Sequence, residues 1–239
     1  MKLGVNVDHS ATLREARCTH YPDPVVVALC AEYAGCDSIV VHLREDRRHI
    51  KERDVILIKE IIKIPLNLEM SVNKDIVEFA LKLKPHQATL VPERRQELTT
   101  EGGLDLVKNY KKIERVVKRL KEKGIKVSLF IDPLKKQIEL AKKMQADLVE
   151  INTGKYSEAK TKLQIEKEFK KIKEAAKFSK SYGFFVAAGH GLDYENVKKI
   201  VKIKEVEELN IGHSIICRAL LVGIIPAVEE VLILLKKKR

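Results

Sequence analysis

No run of about 18 apolar residues occurs in the chain, which excludes a membrane-crossing helix. The opening MKLGVNVDHS carries Asp8 and His9 where a signal peptide needs a continuous apolar stretch, so a cytoplasmic protein is expected. Cysteine is scarce. Cys18, Cys30, Cys36 and Cys217 form no CxxC pair and no zinc-ligand spacing, which argues against a disulfide framework or a structural metal and predicts reduced, mostly buried thiols. Tryptophan is absent while Lys and Glu abound, a composition that suits a heat-adapted protein. No GxGxxG follows the first apolar run, and no Pro/Gly/Ser-rich linker breaks the 239 residues, so neither a dinucleotide fingerprint nor a domain boundary is visible.

What is present is an ordinary globular mixture, 45% hydrophobic and 33% charged. A formal charge of +12, from 46 basic and 34 acidic residues, permits nucleic-acid or anionic-membrane binding. Its placement speaks for neither partner. From Lys108 onward the basic residues are nearly all Lys interleaved with Glu, as in KLQIEKEFKKIKEAAKF, the pattern of a solvated helix face. The terminal Lys236 to Arg239 reads as a frayed helix end whose charge suits the helix dipole.

Short β-branched runs alternate with segments of helical period from one end of the chain to the other. Eight strands are predicted: Leu3 to Val7, Ser38 to His42, Leu66 to Met70, Gln87 to Val91, Lys126 to Ile131, Asp147 to Ile151, Phe184 to Ala188 and Val206 to Ile211. Helices should begin near Asp23, Lys51, Asn73, Gly103, Pro133, Thr161, Asp193 and Gly223, and Ser214 to Val222 should form an extra short helix. Runs such as SIVVH and VSLFI read as apolar on both faces, as a helix-covered parallel sheet requires. The expected fold is therefore α/β, a single (β/α)8 TIM barrel over residues 1–239 with extra short helices in the βα loops. A doubly wound open sheet is the runner-up.

A barrel carries its site at the C-terminal ends of its strands. Six of the seven histidines, all but His86, fall in those loops, and Arg14, Arg17, Arg44, Arg47, Arg48, Arg94 and Arg95 cluster after strands one, two and four. Arginine grips phosphate or carboxylate with a planar fork, so this segregation points to an anionic substrate. The glycine turns AAGHGL and NIGHSI stand where barrels often bind phosphate on backbone N–H groups. Glu69 lies inside LNLEM, where a lone carboxylate is costly unless partnered or protonated. With His42 and His190 it offers a proton donor and acceptor near neutral pH, and Glu150 in LVEIN reads equally as structural or functional. Three such groups can also bind a metal, but no HxH or HExxH spacing supports one.

These residues belong to longer blocks: GVNVDHSATLREAR from Gly4, YPDP from Tyr21, VHLREDRRHI from Val41, NLEM from Asn67, LVPERRQELTTEGGLD from Leu90, VSLFID from Val127, AGHGL from Ala188 and ELNIGH from Glu208. In order, and over nearly the whole chain, they resemble the pyridoxine 5′-phosphate synthase family. The resemblance implies a cofactor-independent, metal-free barrel, assembled as an octamer, that condenses 3-amino-2-oxopropyl phosphate with 1-deoxy-D-xylulose 5-phosphate. It implies proton acceptors at His42 and Glu69, a proton donor at His190 and a transition-state stabiliser at Glu150. Asn6, Arg17, Gly191, Gly212 and His213 would hold the aminoketone phosphate, and Asp8, His9, Arg44, His49 and Thr99 the deoxyxylulose phosphate. The sequence departs from the family pattern at Asn152 and Lys155, where His and often Cys are expected, and at Ala187, where Asn is common. Another barrel enzyme acting on a phosphosugar, an isomerase or aldolase, would share the phosphate turns but not the full set of blocks.

Overall fold

The computed structural model describes residues 1–93 and 102–236. Its strands are β1 (Lys2–Asn6), β2 (Ser38–His42), β3 (Leu66–Met70), β4 (Gln87–Leu90), β5 (Lys126–Ile131), β6 (Leu148–Asn152), β7 (Phe185–Gly189) and β8 (Glu208–Ile211). Every neighbouring pair is parallel, and β8 pairs back onto β1, closing the barrel in chain order. Among the described residues the helices are α1 (Asp8–Ala16), α2 (Pro24–Tyr33), α3 (Glu52–Ile61), α4 (Lys74–Leu83), α5 (Tyr110–Glu122), α6 (Lys135–Lys143), α7 (Gly154–Ser157), α8 (Lys162–Ser181), α9 (Val197–Ile200), α10 (His213–Val222) and α11 (Ile224–Lys236). The (β/α)8 expectation holds. Several starts are set by the anticipated residues: Asp23 accepts from the Val25 N–H at 2.9 Å, Asn73 from Asp75 at 3.1 Å, and Thr161 and Gln164 satisfy each other's N–H groups.

Three local expectations differ. The first connection, where no helix is expected before Asp23, contains the nine-residue α1. The helix after β4 begins at Tyr110 rather than near Gly103, because residues 103–106 are tied to the next unit: Gly103 N–H donates to Asp132, Leu104 N–H to the Phe130 carbonyl and Leu106 N–H to Gln137. Asp193 starts a turn rather than a helix, its Oδ1 accepting from the Glu195 and Asn196 N–H groups.

The pleat divides the strand residues between two environments. Leu3, Val5, Ile39, Val41, Leu66, Leu68, Val127 and Leu129 are fully buried in one apolar cluster with the helices, each contributing roughly 1.5–3 kcal/mol by leaving water. The alternate positions are apolar only in part, as at Val40 and Phe130, which narrows the reading of SIVVH and VSLFI. Most of the others are small or polar: Gly4, Ser38, Asn67, Thr89, Ser128, Glu150 and Asn210. Thr89 donates to Asn67 at 2.8 Å and Asn210 to Glu150 at 2.8 Å. A Cβ on Gly4 would lie 2.2 Å from Asn210 Oδ1, so the missing side chain of β1 is the space that the β8 amide occupies.

At the N-terminal ends of the strands a cavity of about 560 Å³ opens between Lys2, Asp37, Lys126, Asp147 and Glu208. Glu208 is only 7% exposed and its carboxylate accepts no hydrogen bond from a described residue. Burial pushes its carboxyl up to about 7, with Lys2 opposing and Asp37 adding to the rise.

Candidate active site

At the opposite end, His42 closes β2 in register with Glu69 of β3. Asp8, the first residue of α1, ties this pair to β1. Its Oδ1 accepts from the His42 N–H at 2.9 Å, its Oδ2 accepts from the Asn6 amide at 2.9 Å, and its own N–H donates to Asn6 Oδ1. One side-chain atom from each of Asp8, His42 and Glu69 lies within 4.8 Å of the others. Glu69 lies deep in the barrel mouth yet keeps some accessible surface. Burial first, then the charges of Glu150 and Asp8, raises its carboxyl well above the ordinary carboxylate range.

His42 Nε2 stands 2.8 Å from Glu93 Oε1, while Glu93 Oε2 accepts from the Glu45 N–H at 2.9 Å. Burial alone would raise the Glu93 carboxyl. The hydrogen bond and charge of His42, the Glu45 N–H and Arg44 outweigh it and hold the group below its usual value. Glu45 in turn accepts from Ser71 Oγ at 2.6 Å and Asn73 Nδ2 at 3.0 Å, so hydrogen bonds join the exits of β4, β2 and β3. His49 lies with its ring 6.2 Å from that of His42. Burial lowers its pKa against the pull of Asp8. The His49 carbonyl accepts from Arg14, which forms a two-bond ion pair with fully buried Asp54 at 2.9 and 2.8 Å. Arg44 is buried beside this group, 3.3 Å from Asp46.

On the other side of β1 the rings of His9 and His213 meet edge to face at 4.8 Å. Burial lowers the His9 pKa, Asp8 opposing and His213 adding to the fall. His213 is the first residue of α10, whose leading backbone N–H groups form an anion-favouring helix start. A Cβ on Gly212 would lie 2.9 Å from the Asn6 Cβ. Only glycine lets the helix start come this close to β1.

The loops after β6 and β7 form the third part. Glu150 accepts from Asn210, and burial pushes its carboxyl up to about 7, the Asn210 bond opposing and Glu208 adding to the rise. A Cβ on Gly189 would lie 2.4 Å from Glu150 Oε1. His190 has φ of 82° and Gly191 φ of 71°, a backbone state uncommon for a residue with a side chain. Thr153 Oγ1 holds that turn, 2.7 and 2.6 Å from the Gly189 and His190 carbonyls. Gly191 is required twice, since a Cβ there would also lie 2.0 Å from Ser157 Oγ. Burial lowers the His190 pKa, Glu158 opposing.

The structure thus brings Asp8, His42, Glu69, Arg44 and His49 together, and places Asn6, His9, Gly212 and His213 beside them. Glu150, His190 and Gly191 line the β6–β7 side. Arg17 caps the far end of α1, exposed, with no side-chain hydrogen bond or ion pair to a described residue. Thr99, like Arg94 and Arg95, lies outside the described residues. The Asn152 departure is accommodated, its amide donating to Asp132 and its oxygen accepting from Gly154 N–H; Lys155 is exposed and Ala187 buried. Contrary to expectation, Cys18 and Cys217 are exposed: Cys18 follows α1 in a left-handed turn, and Cys217 lies one helical turn beyond His213, its Sγ 3.4 Å from Nε2. Glu93 carries no sequence signal for this role, because 51 residues separate it from its partner His42.

Eight parallel strands with imidazoles, carboxylates and a helix start gathered at their C-terminal ends define a barrel enzyme built for proton transfer on an anionic substrate. The fold alone is widely shared. The phosphoribosyl anthranilate isomerase of Thermus thermophilus superposes with a TM-score of 0.64 at 12% identity over 100% of both chains, and the thiamine phosphate pyrophosphorylase of Pyrococcus furiosus with 0.64 at 14% over 99% of this chain and 96% of its own. Sequence narrows the class. Proteins named pyridoxine 5′-phosphate synthase are 52% identical in Aquifex aeolicus, over 99% of this chain and 100% of theirs, and 50% identical in Idiomarina loihiensis, over 100% and 99%. Residues 3–237 match the family described as "Pyridoxal phosphate biosynthesis protein PdxJ", and the chain belongs to that family.

Proposed function

We propose that residues 1–239 form one catalytic domain that acts as a pyridoxine 5′-phosphate synthase, joining 3-amino-2-oxopropyl phosphate and 1-deoxy-D-xylulose 5-phosphate into pyridoxine 5′-phosphate with release of phosphate and water. The observation that carries this reading is the set Asp8, His42 and Glu69, three groups able to take or give protons within 4.8 Å, in a chain of this family. Imine formation, phosphate loss and ring closure move protons at several atoms, and a single base cannot reach them all. Glu69, raised by burial, is a stronger base than an exposed carboxylate once ionised, and His42 is the second acceptor. Glu150, held by the Asn210 amide, stabilises the transition state. His190 is the donor; a phosphate dianion on the Gly191 and Gly212 backbone raises its lowered pKa and so restores its proton.

The two anions divide between two grips. The aminoketone phosphate binds Asn6, Arg17, Gly191, Gly212 and His213 at the α10 start, and the deoxyxylulose phosphate binds Asp8, His9, Arg44, His49 and Thr99. The chemistry runs without metal or cofactor. Both Asp8 oxygens and His42 Nε2 already hold hydrogen bonds, which suits proton transfer better than metal ligation. Incubating the chain with both substrates and a chelator should give pyridoxine 5′-phosphate; no product under any condition ends this reading, and product only with added metal ends its metal-free part.

The four cysteines are free, as suits the reducing cytoplasm where we place the enzyme. We also assign it a homo-oligomeric, octameric state. Leu13, Val26, Tyr33 and Leu221 stand out from α1, α2 and α10, Tyr33 at 83% and Leu221 at 79% exposure, where α1 packs on α2 and α10 and both of these pack on α11; such a surface is apolar enough to be covered by another copy. A sedimentation mass equal to one 27.2 kDa chain would remove the assignment.

A further inference from the structure

His42 carries two ring nitrogens, and only one is engaged. Nε2 is 2.8 Å from Glu93 Oε1, whereas Nδ1 makes no hydrogen bond with a described residue. Glu93 is no passing surface contact. Its side chain is 5% exposed, and its second oxygen is fixed by the Glu45 N–H, a group that can only donate. An ionised carboxylate held in this way has acceptors on both arms, so the proton of the Glu93–His42 hydrogen bond belongs to Nε2 and the ring's lone pair is on Nδ1.

We propose that Glu93 is the positioning residue of the acid–base centre: it fixes His42 in the Nε2–H tautomer and orients the ring, so that Nδ1 is the atom that takes the substrate's proton. The assignment rests on His42 acting as a base, the reading given above. It also gives a role to a contact between the exits of two strands that are not neighbours. β2 and β4 are separated by β3, and Glu93 reaches across the Glu69 strand to close the gap. When His42 takes a proton it becomes a cation already facing a carboxylate, so the charge appears in a prepared setting.

The test follows from the two arms of the carboxylate. In Glu93→Gln the single amide oxygen is claimed by the Glu45 N–H, which turns the NH₂ toward His42 Nε2 and demands a lone pair there. The ring must then carry its proton on Nδ1 and loses its base. Two-bond ¹H–¹⁵N spectra of the full chain should show His42 as the Nε2–H tautomer in the wild type and as Nδ1–H in Glu93→Gln, a readout independent of turnover. With both substrates, kcat should fall by roughly 10²-fold, within the range for a base, while both KM values stay within about threefold. Glu93→Asp, which keeps the charge, should recover part of kcat, and adding Glu93→Gln to His42→Ala should cost nothing further because the two act as one unit. A wild-type tautomer in Glu93→Gln, an unchanged kcat, or losses that multiply in the double variant would overturn the assignment. An inactive wild type with the expected tautomer switch would instead strike the proposed function and leave the Glu93–His42 arrangement standing.

Discussion

Glu208 offers a quantitative test of the barrel interior that does not pass through catalysis. Its carboxyl has an ordinary value of 4.5 and is pushed up to about 7 by burial above the N-terminal cavity. A folded-state value above the unfolded one means that the native protein holds this proton more tightly than the unfolded chain. The stabilising contribution is thus complete below about pH 4.5 and lost as pH rises to about 7. At about 1.36 kcal/mol per pH unit the full effect is roughly 3 kcal/mol, and the part that falls between pH 5 and pH 8 is roughly 2 kcal/mol once the solvent reaching the cavity is allowed for. Glu208→Gln removes the titration and keeps the size. The variant's melting temperature minus that of the wild type should therefore be more positive at pH 8 than at pH 5 by about 5 °C, given about 2–4 °C per kcal/mol for a chain of this length. Any fixed cost of burying the amide cancels in that comparison. A difference that is the same at both pH values, or more favourable at pH 5, would refute the account of Glu208 as a buried carboxylate without a partner.

Other outcomes follow from the site. Glu69→Gln should lower kcat by roughly 10²-fold while the melting temperature holds or rises, since it removes a raised carboxyl; steady-state kinetics with calorimetry tests this, and near wild-type turnover removes Glu69 as a base. Asp54→Ala leaves the buried Arg14 guanidinium without its two-bond partner, a loss of about 3–5 kcal/mol measurable by urea titration. Gly191→Ala meets both a positive φ and Ser157 Oγ at 2.0 Å; it should raise KM for the aminoketone phosphate at least several-fold, more than it changes KM for the other substrate.

The fold was legible because its signals are local. Strand and helix periods, and caps such as Asp23, Asn73 and Thr161, act over a few residues, and the structure places most of those boundaries as read. The ends of the strands could then be assigned to one mouth, which collected His42, Glu69 and Glu150 without any knowledge of side-chain direction. Two things stayed hidden. SIVVH contains a serine and a histidine on the same side of the pleat, but the string reads as apolar because Ile39, Val40 and Val41 dominate it; the polar interior appears only when eight strands are aligned. Glu93 was equally unreadable, since its meaning comes from an imidazole two strands away. Arg17 shows the converse: its place in a motif is clear, yet at the far end of α1 it is exposed and pairs with no described residue.

The exchange of side-chain space inside the barrel has a further consequence. Gly4 yields to Asn210, and Gly189 yields to Glu150, so β1 with β8 and β7 with β6 behave as interlocked halves rather than as independent staves. A library that varies the four positions one at a time would return mostly collisions. Active descendants with altered interiors should instead arise from coordinated exchanges, in which one stave gains the atoms that its neighbour surrenders.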